Sequence, residues 1–290
     1  MYQLNNITVR TPGTCGELAQ GVIDGNYFHI TCPINLFSYV SVELAKKTEI
    51  PFNRWKTKKA VEKILKLFGE KINLKVQIES EIPASKGMAS STADIVGVCL
   101  ATANLLNLKI SEDAISKIAL SIEPTDGIMF PGIILFDHRK GKIKEYLGPA
   151  PKLKILVVDL GVRVDTIEFN KKDFLKEHYI NQKKIKKAFE LIKTGIRQND
   201  IHLIGKGATM SAICNQEILY KPDLEKILDI GLKMGAVGVN AAHRGGVIGI
   251  LLDYGFSDTE LLKNKLRRKL THLCKFYETE LINGGGQIVN

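Results

Sequence analysis

Hydrophobic periodicity divides the first half of the chain into short strands and amphipathic helices. Apolar side chains alternate with polar ones over 37–44 and 74–78, which predicts half-buried strands. They recur at helical spacing over 58–68, which predicts a helix that Gly69 ends. The run 93–106 is apolar nearly all round, so we expect a helix buried at the centre of a domain.

The second half of the chain also alternates between helical and strand patterns. The segment 148–151, with the sequence GPAP, is the predicted boundary between two domains, 1–150 and 151–290. Beyond it we expect helices over about 171–194, 200–216, 222–234 and 257–272, and strands over about 154–159, 236–241, 246–252 and 273–282. Ser257 to Glu260 has the pattern of a capping box for the last helix. The mixture predicts an α+β fold, with antiparallel strands and helices on one face.

The stretch from Ile82 to Ala93 is rich in small residues and lies between a predicted strand and the buried helix. Small residues let a backbone approach a ligand closely, and a helix N-terminus presents free N–H groups and a positive dipole end. The hydroxyls of Ser90, Ser91 and Thr92 are suited to phosphate oxygens or a hard cation. The alternative is an ordinary strand-to-helix turn with Ser90 or Ser91 as N-cap.

A second candidate segment follows a predicted strand over 7–10. The residues 11–21 include a proline and several glycines, which predicts a tight, shaped loop. Glu17 lies near the end of this loop, where the chain regains apolar character. The alternative to a functional role is a plain turn with a solvated Glu17.

Two carboxylates lie three residues apart after a predicted helix that starts at Ser111. Pro124 disfavours helical geometry for Glu123 and so ends the helix there. Glu123 and Asp126, on one turn, could bind Mg²⁺ or supply a general base. The alternative is a helix-ending turn in which Asp126 is only solvated.

A glycine-rich stretch, 235–249, lies at the junction of two predicted strands. Within it, His243 and Arg244 precede two glycines and would stand at a hairpin turn. Such a turn could close over phosphates, with Arg244 as the counter-charge. The alternative is a hairpin tip with exposed polar residues.

Composition narrows the classes of partner. The 290 residues carry a net charge of +10, with 41 basic and 31 acidic side chains. The densest basic run, 171–193, has apolar side chains at helical spacing, which indicates a solvated helix face, so we expect no nucleic acid as partner. No apolar run approaches membrane-spanning length, and the first six residues lack a signal pattern, so we expect no membrane partner. The five separated cysteines form no CxxC pair, which is typical of a reducing, cytoplasmic location.

Several well-known catalytic motifs are absent from the sequence. There is no Gly-x-x-x-x-Gly-Lys-Ser/Thr segment, which excludes the P-loop fold, and there is no His-Glu-x-x-His or Gly-x-Ser-x-Gly segment. The chain has six histidines, and nothing in the sequence singles out a Ser–His pair for nucleophilic catalysis.

Three motifs, read in order, resemble those of the GHMP kinase superfamily. They are Pro-Gly-Thr-Cys-Gly-Glu at 12–17, the phosphate-loop pattern at 83–93, and the glycine-rich stretch 235–249. Met88-Ala89 stands where the family pattern has Leu-Gly. Within the superfamily, the first motif together with Glu-Pro-Thr-Asp at 123–126 is similar to the L-threonine kinases of adenosylcobalamin synthesis.

The resemblance implies a fold and an activity. The fold would combine an N-terminal domain like domain 2 of ribosomal protein S5 with a ferredoxin-like C-terminal domain. ATP, Mg²⁺ and a small hydroxylated substrate would meet in the cleft between them, and L-threonine would become O-phospho-L-threonine for cobalamin synthesis. The alternatives are a kinase for another small alcohol, such as homoserine or mevalonate, and a catalytically silent member used for interaction; a homodimer is left open.

The resemblance also implies roles for individual residues. Asp126 would be the catalytic base, Ser91 and Glu123 would bind Mg²⁺, and Glu17 would lie near the substrate. A threonine acceptor also needs a cation for its carboxylate and an acceptor for its ammonium group, for which Arg244 and Glu17 are the candidates. The triphosphate of ATP would be held by one continuous loop: Pro83, Ser85, Lys86, Gly87, Met88, Ala89, Ser90, Ser91 and Thr92.

Overall fold

The computed structural model describes residues 6–23, 25–161, 174–243, 245–271 and 274–289. The helices in these ranges are α1 (Trp55–Phe68), α2 (Ser90–Leu105), α3 (Glu112–Leu120), α4 (Leu175–Gln198), α5 (Ile201–Asn215), α6 (Leu224–Lys233) and α7 (Thr259–Lys269). The strands are β1 (Ile7–Ile23), β2 (Asn26–Leu44), β3 (Leu74–Ser80), β4 (Ile133–Phe136), β5 (Lys144–Gly148), β6 (Leu153–Asp159), β7 (Gly238–Ala241), β8 (Val247–Asp253), β9 (Lys275–Glu280) and β10 (Gln287–Ile288). In the part of the chain described, no helix combines the length and apolar character that crossing a membrane requires.

The strands, which differ in length, join into one sheet. Its order is β5-β4-β2-β1-β7-β8-β6-β9, with β10 beside β1 and β3 beside β2. The pairs between these strands are antiparallel, as expected. Strand β1 connects the two halves of the sheet, because Glu17 of β1 pairs with Ala241 of β7. The division into 1–150 and 151–290 stays a prediction; the segment 148–151 lies between β5 and β6.

The predicted loop over 11–21 is wrong, because β1 runs without interruption from Ile7 to Ile23. The glycines and the proline do not end the strand. They bend it, since its register with β2 shifts between Pro12 and Gly13 and again on both sides of Glu17. Glu17 is therefore a strand residue, and bulges determine where its side chain points.

The alternative cap at the start of α2 and the predicted capping box of α7 are both wrong. Helix α2 begins after Ala89, which has left-handed backbone geometry and forms no side-chain cap, so neither Ser90 nor Ser91 is the N-cap. Helix α7 begins after Asp258 without a side-chain cap, and Glu260 accepts a hydrogen bond from Lys263 rather than completing a capping box. Helix α3 does have a side-chain cap, because the hydroxyl of Ser111 accepts from the backbone N–H of Ala114.

The basic run proves to be largely a solvated helix face. In α4, Lys183 and Lys187 are exposed, whereas Ile185 and Phe189 are buried. Residues 171–173 of the predicted helix lie outside the described residues. By contrast, the small-residue helix α2 is buried along nearly its whole length, as its sequence predicts.

The three motifs meet backbone to backbone. The N–H of Thr14 donates to the carbonyl oxygen of Met88 at 3.1 Å, which ties the first motif to the second. Gly16 has φ +54°, and a Cβ there would lie 2.5 Å from Cα of Ala242 in the third motif. A Cβ on Gly245 would overlap the carbonyl oxygen of Lys86. Only glycine allows such close approach, so these residues set the spacing of the three segments.

We expect Gly245→Ala to destabilise the protein more than Gly235→Ala. Both glycines have positive φ, +131° and +95°, but a Cβ at Gly235 meets no atom within 4 Å. The two variants share backbone strain, and only Gly245→Ala adds overpacking, which costs about 1–3 kcal/mol more. Urea unfolding of the two variants measures this difference. Equal losses of unfolding free energy would contradict the contact between the hairpin and the phosphate loop.

Candidate active site

The loop before α2 has the backbone of an anion site. Residues with positive φ occur at every second position: Ser85 at 61°, Gly87 at 77° and Ala89 at 58°. Alternation between right- and left-handed residues turns successive N–H groups toward one concavity, which favours an anion. The concavity opens on the N-terminus of α2, whose dipole adds positive potential there. The phosphate-loop interpretation is thereby supported over the plain turn.

One cleft gathers most of the predicted site residues. Its walls include Glu17, Ser85, Gly87, Met88, Ala89, Ser90, Ser91, Thr92, Glu123 and Asp126. Pro83 and Lys86 do not line it, and the amine of Lys86 instead contacts Asp159 at 3.0 Å. Arg244 lies outside the described residues.

A polar cluster at the N-terminal end of α2 consists of Ser91, Glu123 and Lys56. The hydroxyl of Ser91 donates to Oε1 of Glu123 at 2.6 Å, and Nζ of Lys56 lies 2.5 Å from Oε2 of the same carboxylate. Nζ of Lys56 is also 3.5 Å from Oγ of Ser91. The carboxylate of Glu123 already attracts one cation, the ammonium of Lys56. A hydroxyl and a carboxylate are also the hard oxygen donors that Mg²⁺ prefers. Nothing in the sequence distinguished Lys56 from the other lysines of α1.

A buried ion pair fixes the start of α1 to α2. Arg54, which lines the cleft, lies 2.7 Å from Oδ2 of Asp94, and Ser38 donates to Oδ1 at 2.6 Å. Burial raises the pKa of Asp94, while the hydrogen bond from Ser38 and the charge of Arg54 act in the opposite direction. The pair holds the cleft wall around Arg54 against the helix that carries Ser91.

A second polar network connects Glu17 with Asp126. Glu17 is 6% exposed, and its Oε2 accepts from the backbone N–H of His243 at 2.6 Å. Nδ1 of His29 lies 3.6 Å from Oε1 of Glu17 and 3.5 Å from Oδ1 of Asp126. The solvated-turn alternative for Glu17 is therefore wrong. The side chain of Asp126 remains 21% exposed, so it faces the open cleft.

Sequence reasoning missed a cluster of three buried histidines. The rings of His29 and His138 stack with centroids 3.7 Å apart and an interplanar angle of 11°, and His243 lies against both. Nitrogen atoms of the three come within 4.8 Å of one another. Metal-ligating rings direct their in-plane lone pairs at one point, whereas stacked rings keep those directions parallel. The cluster therefore suits ring packing better than metal binding.

The cysteine of the first motif has a structural role. Cys15 is fully buried, and its carbonyl oxygen accepts from the side-chain amide of Asn240. The same amide donates to the carbonyl oxygen of Glu17 at 3.2 Å. Burial, with a smaller contribution from the charge of Glu17, raises the pKa of the Cys15 thiol far above its ordinary range, which opposes a nucleophilic role.

Comparison with known proteins identifies the family. The model of the GHMP kinases N terminal domain matches residues 56–131. The chain is 33% identical to the L-threonine kinase of Salmonella typhimurium over 291 residues, which span 97% of this chain and 95% of that protein. The chain belongs to the GHMP kinase family. It is also 29% identical to the L-threonine kinase of Citrobacter freundii, over 96% of this chain and 98% of that protein.

Solved structures confirm the GHMP kinase fold. Homoserine kinase from Cytophaga hutchinsonii superposes with a TM-score of 0.77 over 100% of this chain and 99% of that chain, at 15% identity. Mevalonate kinase from Methanococcus jannaschii superposes with a TM-score of 0.72 over 97% and 100% of the two chains, at 18% identity. These likenesses establish the fold, which the motif order predicted.

This GHMP kinase also contains a buried lysine that the sequence did not single out. Lys221, between α5 and α6, is 3% exposed. Burial lowers the pKa of Lys221 from 10.5 to about 8, and the nearby charge of Glu17 opposes that shift. Within the described part of the chain, its amine has no hydrogen-bond partner. A protonated amine in this position is a cost to the folded state.

We expect Lys221→Met to remove a pH-dependent penalty on stability. Between pH 8 and 10.5 the unfolded chain binds more protons at Lys221 than the folded chain, so this residue's contribution to stability rises with pH. Below pH 8 both states are protonated, and the full penalty is about 3 kcal/mol. The variant should be more stable than the wild type at pH 7, and the difference should shrink toward pH 10. Denaturant unfolding at several pH values measures it, and a pH-independent difference would contradict the assignment.

Proposed function

We propose that the protein is a kinase that transfers the γ-phosphoryl group of ATP to the side-chain hydroxyl of L-threonine. The observation that carries the proposal is a single cleft that combines the concave phosphate loop, the Ser91–Glu123 pair and the exposed carboxylate of Asp126. An anion site, a hard-cation site and a base within one cleft are the parts that phosphoryl transfer to an alcohol requires. The two full-length relatives named L-threonine kinase support the choice of acceptor.

The phosphate loop would bind the triphosphate. The N–H groups around Gly87 and Ala89 and the start of α2 would donate to its oxygens, and the hydroxyl of Ser90 lies in the same wall. The amine of Lys86 is bonded to Asp159, so Lys86 would contact the triphosphate through its backbone. Because Gly245 packs on this loop, the β7–β8 hairpin would hold the loop in its binding conformation.

Ser91 and Glu123 would hold Mg²⁺. The oxygen donors fit this ion, and the contact of Lys56 with Glu123 demonstrates that the position attracts positive charge. When bound, Mg²⁺ neutralises charge on the phosphates. Lys56, released from part of its ion pair, would be placed to contact phosphate oxygens beside the metal.

Asp126 would accept the proton of the acceptor hydroxyl. It is exposed to the cleft on a turn that α2 positions, since Thr92 and Thr125 share a hydrogen bond of 2.9 Å between their hydroxyls. His29 lies between Asp126 and Glu17 and would keep the carboxylate oriented. The hydroxyl would attack the γ-phosphorus in line, with most of the rate enhancement coming from positioning and charge stabilisation.

The wider assignment follows the same family. We place an S5-like domain in 1–150 and a ferredoxin-like domain in 151–290, and residues of both would line the cleft. The product, O-phospho-L-threonine, would be used in cobalamin synthesis. The test of the acceptor is ADP release with L-threonine, L-homoserine and mevalonate as substrates. A clear preference for L-homoserine or mevalonate would overturn the L-threonine assignment while leaving the kinase assignment in place.

We expect Asp126→Asn to lower kcat by about 100-fold or more, because general-base catalysis is typically worth that much. The KM for ATP should change little, since Asp126 is not part of the phosphate loop. Steady-state kinetics give both constants. Asp113→Asn is the matched control, because Asp113 is a carboxylate on the outside of α3. Full turnover by Asp126→Asn would remove the base from the mechanism.

We expect Glu123→Gln to raise the Mg²⁺ concentration required for half-maximal activity at least about tenfold, since loss of one anionic ligand weakens a hard-cation site. The amide should also release Lys56, which loses its ion pair. Titration of activity with Mg²⁺, and of nucleotide binding with and without Mg²⁺, measures the effect. An unchanged Mg²⁺ requirement would place the ion elsewhere.

A further inference from the structure

Two buried polar side chains near the cleft have no partner within the described part of the chain. The amine of Lys221 forms no hydrogen bond, and neither do the oxygen and nitrogen of the Asn215 side-chain amide. Both residues are at least 97% buried, with 3% and 2% exposure. A buried polar atom without a partner is costly, so each such atom in a folded protein requires a reason.

The course of α5 brings Asn215 toward the active site. Gly205 packs on Val237 before β7, and Thr209 accepts from the backbone N–H of Val239 at 3.0 Å. Two residues later, Ser211 accepts from the backbone N–H of Gln20 in β1 at 3.0 Å. Helix α5 therefore runs alongside β7 in the direction of Ala241, which pairs with Glu17.

Asn215 follows Ser211 by four residues and so lies on the same helix face, one turn farther along. It ends α5, one turn beyond the contact of Ser211 with Gln20, whose side chain bonds the carbonyl oxygen of Ala241 and Nδ1 of His243. The end of the helix thus approaches the cleft from the side of the third motif.

The chain after α5 holds Lys221 in the same region. The side chain of Gln216 bonds both backbone groups of Lys221, accepting from its N–H at 2.7 Å and donating to its carbonyl oxygen at 3.0 Å. The ammonium of Lys221 interacts electrostatically with the carboxylate of Glu17. Glu17 lines the cleft, whereas Lys221 and Asn215 are not among its lining residues, so this cluster adjoins the cleft through Glu17.

We propose that Lys221 and Asn215 form the subsite for the α-carboxylate of an amino-acid acceptor, with Glu17 facing its α-ammonium group. A carboxylate accepts from an ammonium and from an amide NH₂, which are the donors left without partners here. A cation and an anion that are near each other complement a zwitterion. The inference rests on the proposed kinase function and specifies the class of acceptor: an amino acid rather than a simple alcohol.

The test compares acceptors with and without the carboxylate. The wild type and Lys221→Met are assayed with L-threonine and with (R)-1-amino-2-propanol, which is L-threonine without its carboxylate. We expect the wild type to prefer L-threonine strongly. Lys221→Met should raise the KM for L-threonine at least about tenfold and reduce that preference, while the KM for ATP stays within about twofold. Asn215→Leu should act in the same direction, more weakly.

Lys263→Met is the matched control, because Lys263 is also buried but is paired with Glu260 in α7 and with Glu278 in β9, the strand at one end of the sheet. It should leave acceptor kinetics unchanged. Thermal unfolding with and without L-threonine gives a readout apart from turnover: the ligand should stabilise the wild type and not Lys221→Met. If Lys221→Met keeps the wild-type preference for L-threonine, the subsite is wrong.

The same assays separate the two proposals. If the wild type does not use L-threonine but uses L-homoserine or L-serine, and Lys221→Met loses that preference over the corresponding amino alcohols, the acceptor assignment fails and the subsite stands. If the wild type prefers alcohols without a carboxylate, the subsite is overturned whatever the variants do.

Discussion

The site depends on backbone-to-backbone contact between segments that are far apart in the sequence. Thr14 bonds to Met88, Gly16 packs on Ala242, and Gly245 packs on Lys86. A side chain at either glycine would separate the segments, because the neighbouring atoms belong to backbone that cannot move aside cheaply. The contacts hold the phosphate loop between strand β1 and the β7–β8 hairpin. The other features of the site, from the concave backbone of the phosphate loop to the position of Glu17, depend on that arrangement.

Helix α2 then transmits this geometry to the turn that carries Glu123 and Asp126. Its first turn is joined to the turn after α3 by two side-chain contacts, Ser91 with Glu123 and Thr92 with Thr125. Residues Ser85 and Ala89 hold left-handed conformations that cost about 1–3 kcal/mol each for a residue with a Cβ. That strain persists because the buried helix and the contacts with the first and third motifs determine the path of the loop. A loop that is already formed lowers the conformational entropy that binding of a phosphate would have to overcome.

The sequence predicted what local patterns determine. Helical spacing located α1 and α2, and the residue types of the loop before α2 indicated an anion site that the structure supports. It could not predict that β1 continues through a proline and several glycines, because bulges against β2 decide the outcome. It also missed His29, Lys56 and Lys221. Each of these acquires its environment from residues distant in the chain, so its significance is a property of the fold rather than of the nearby sequence.

Two cationic side chains, Lys56 and Lys221, have positions in the free protein that relate to the charges of the proposed ligands. Lys56 is already paired with Glu123, where a metal ion would take over part of the interaction. Lys221 is buried, and among the described residues its amine has no hydrogen-bond partner, which destabilises the folded state. A ligand that supplies an anion beside Lys221 would remove this penalty, so the stability lost in the free protein would return as affinity and selectivity for a carboxylate. In the proposed subsite the buried charge, unfavourable for folding alone, would thereby distinguish an amino acid from a neutral alcohol.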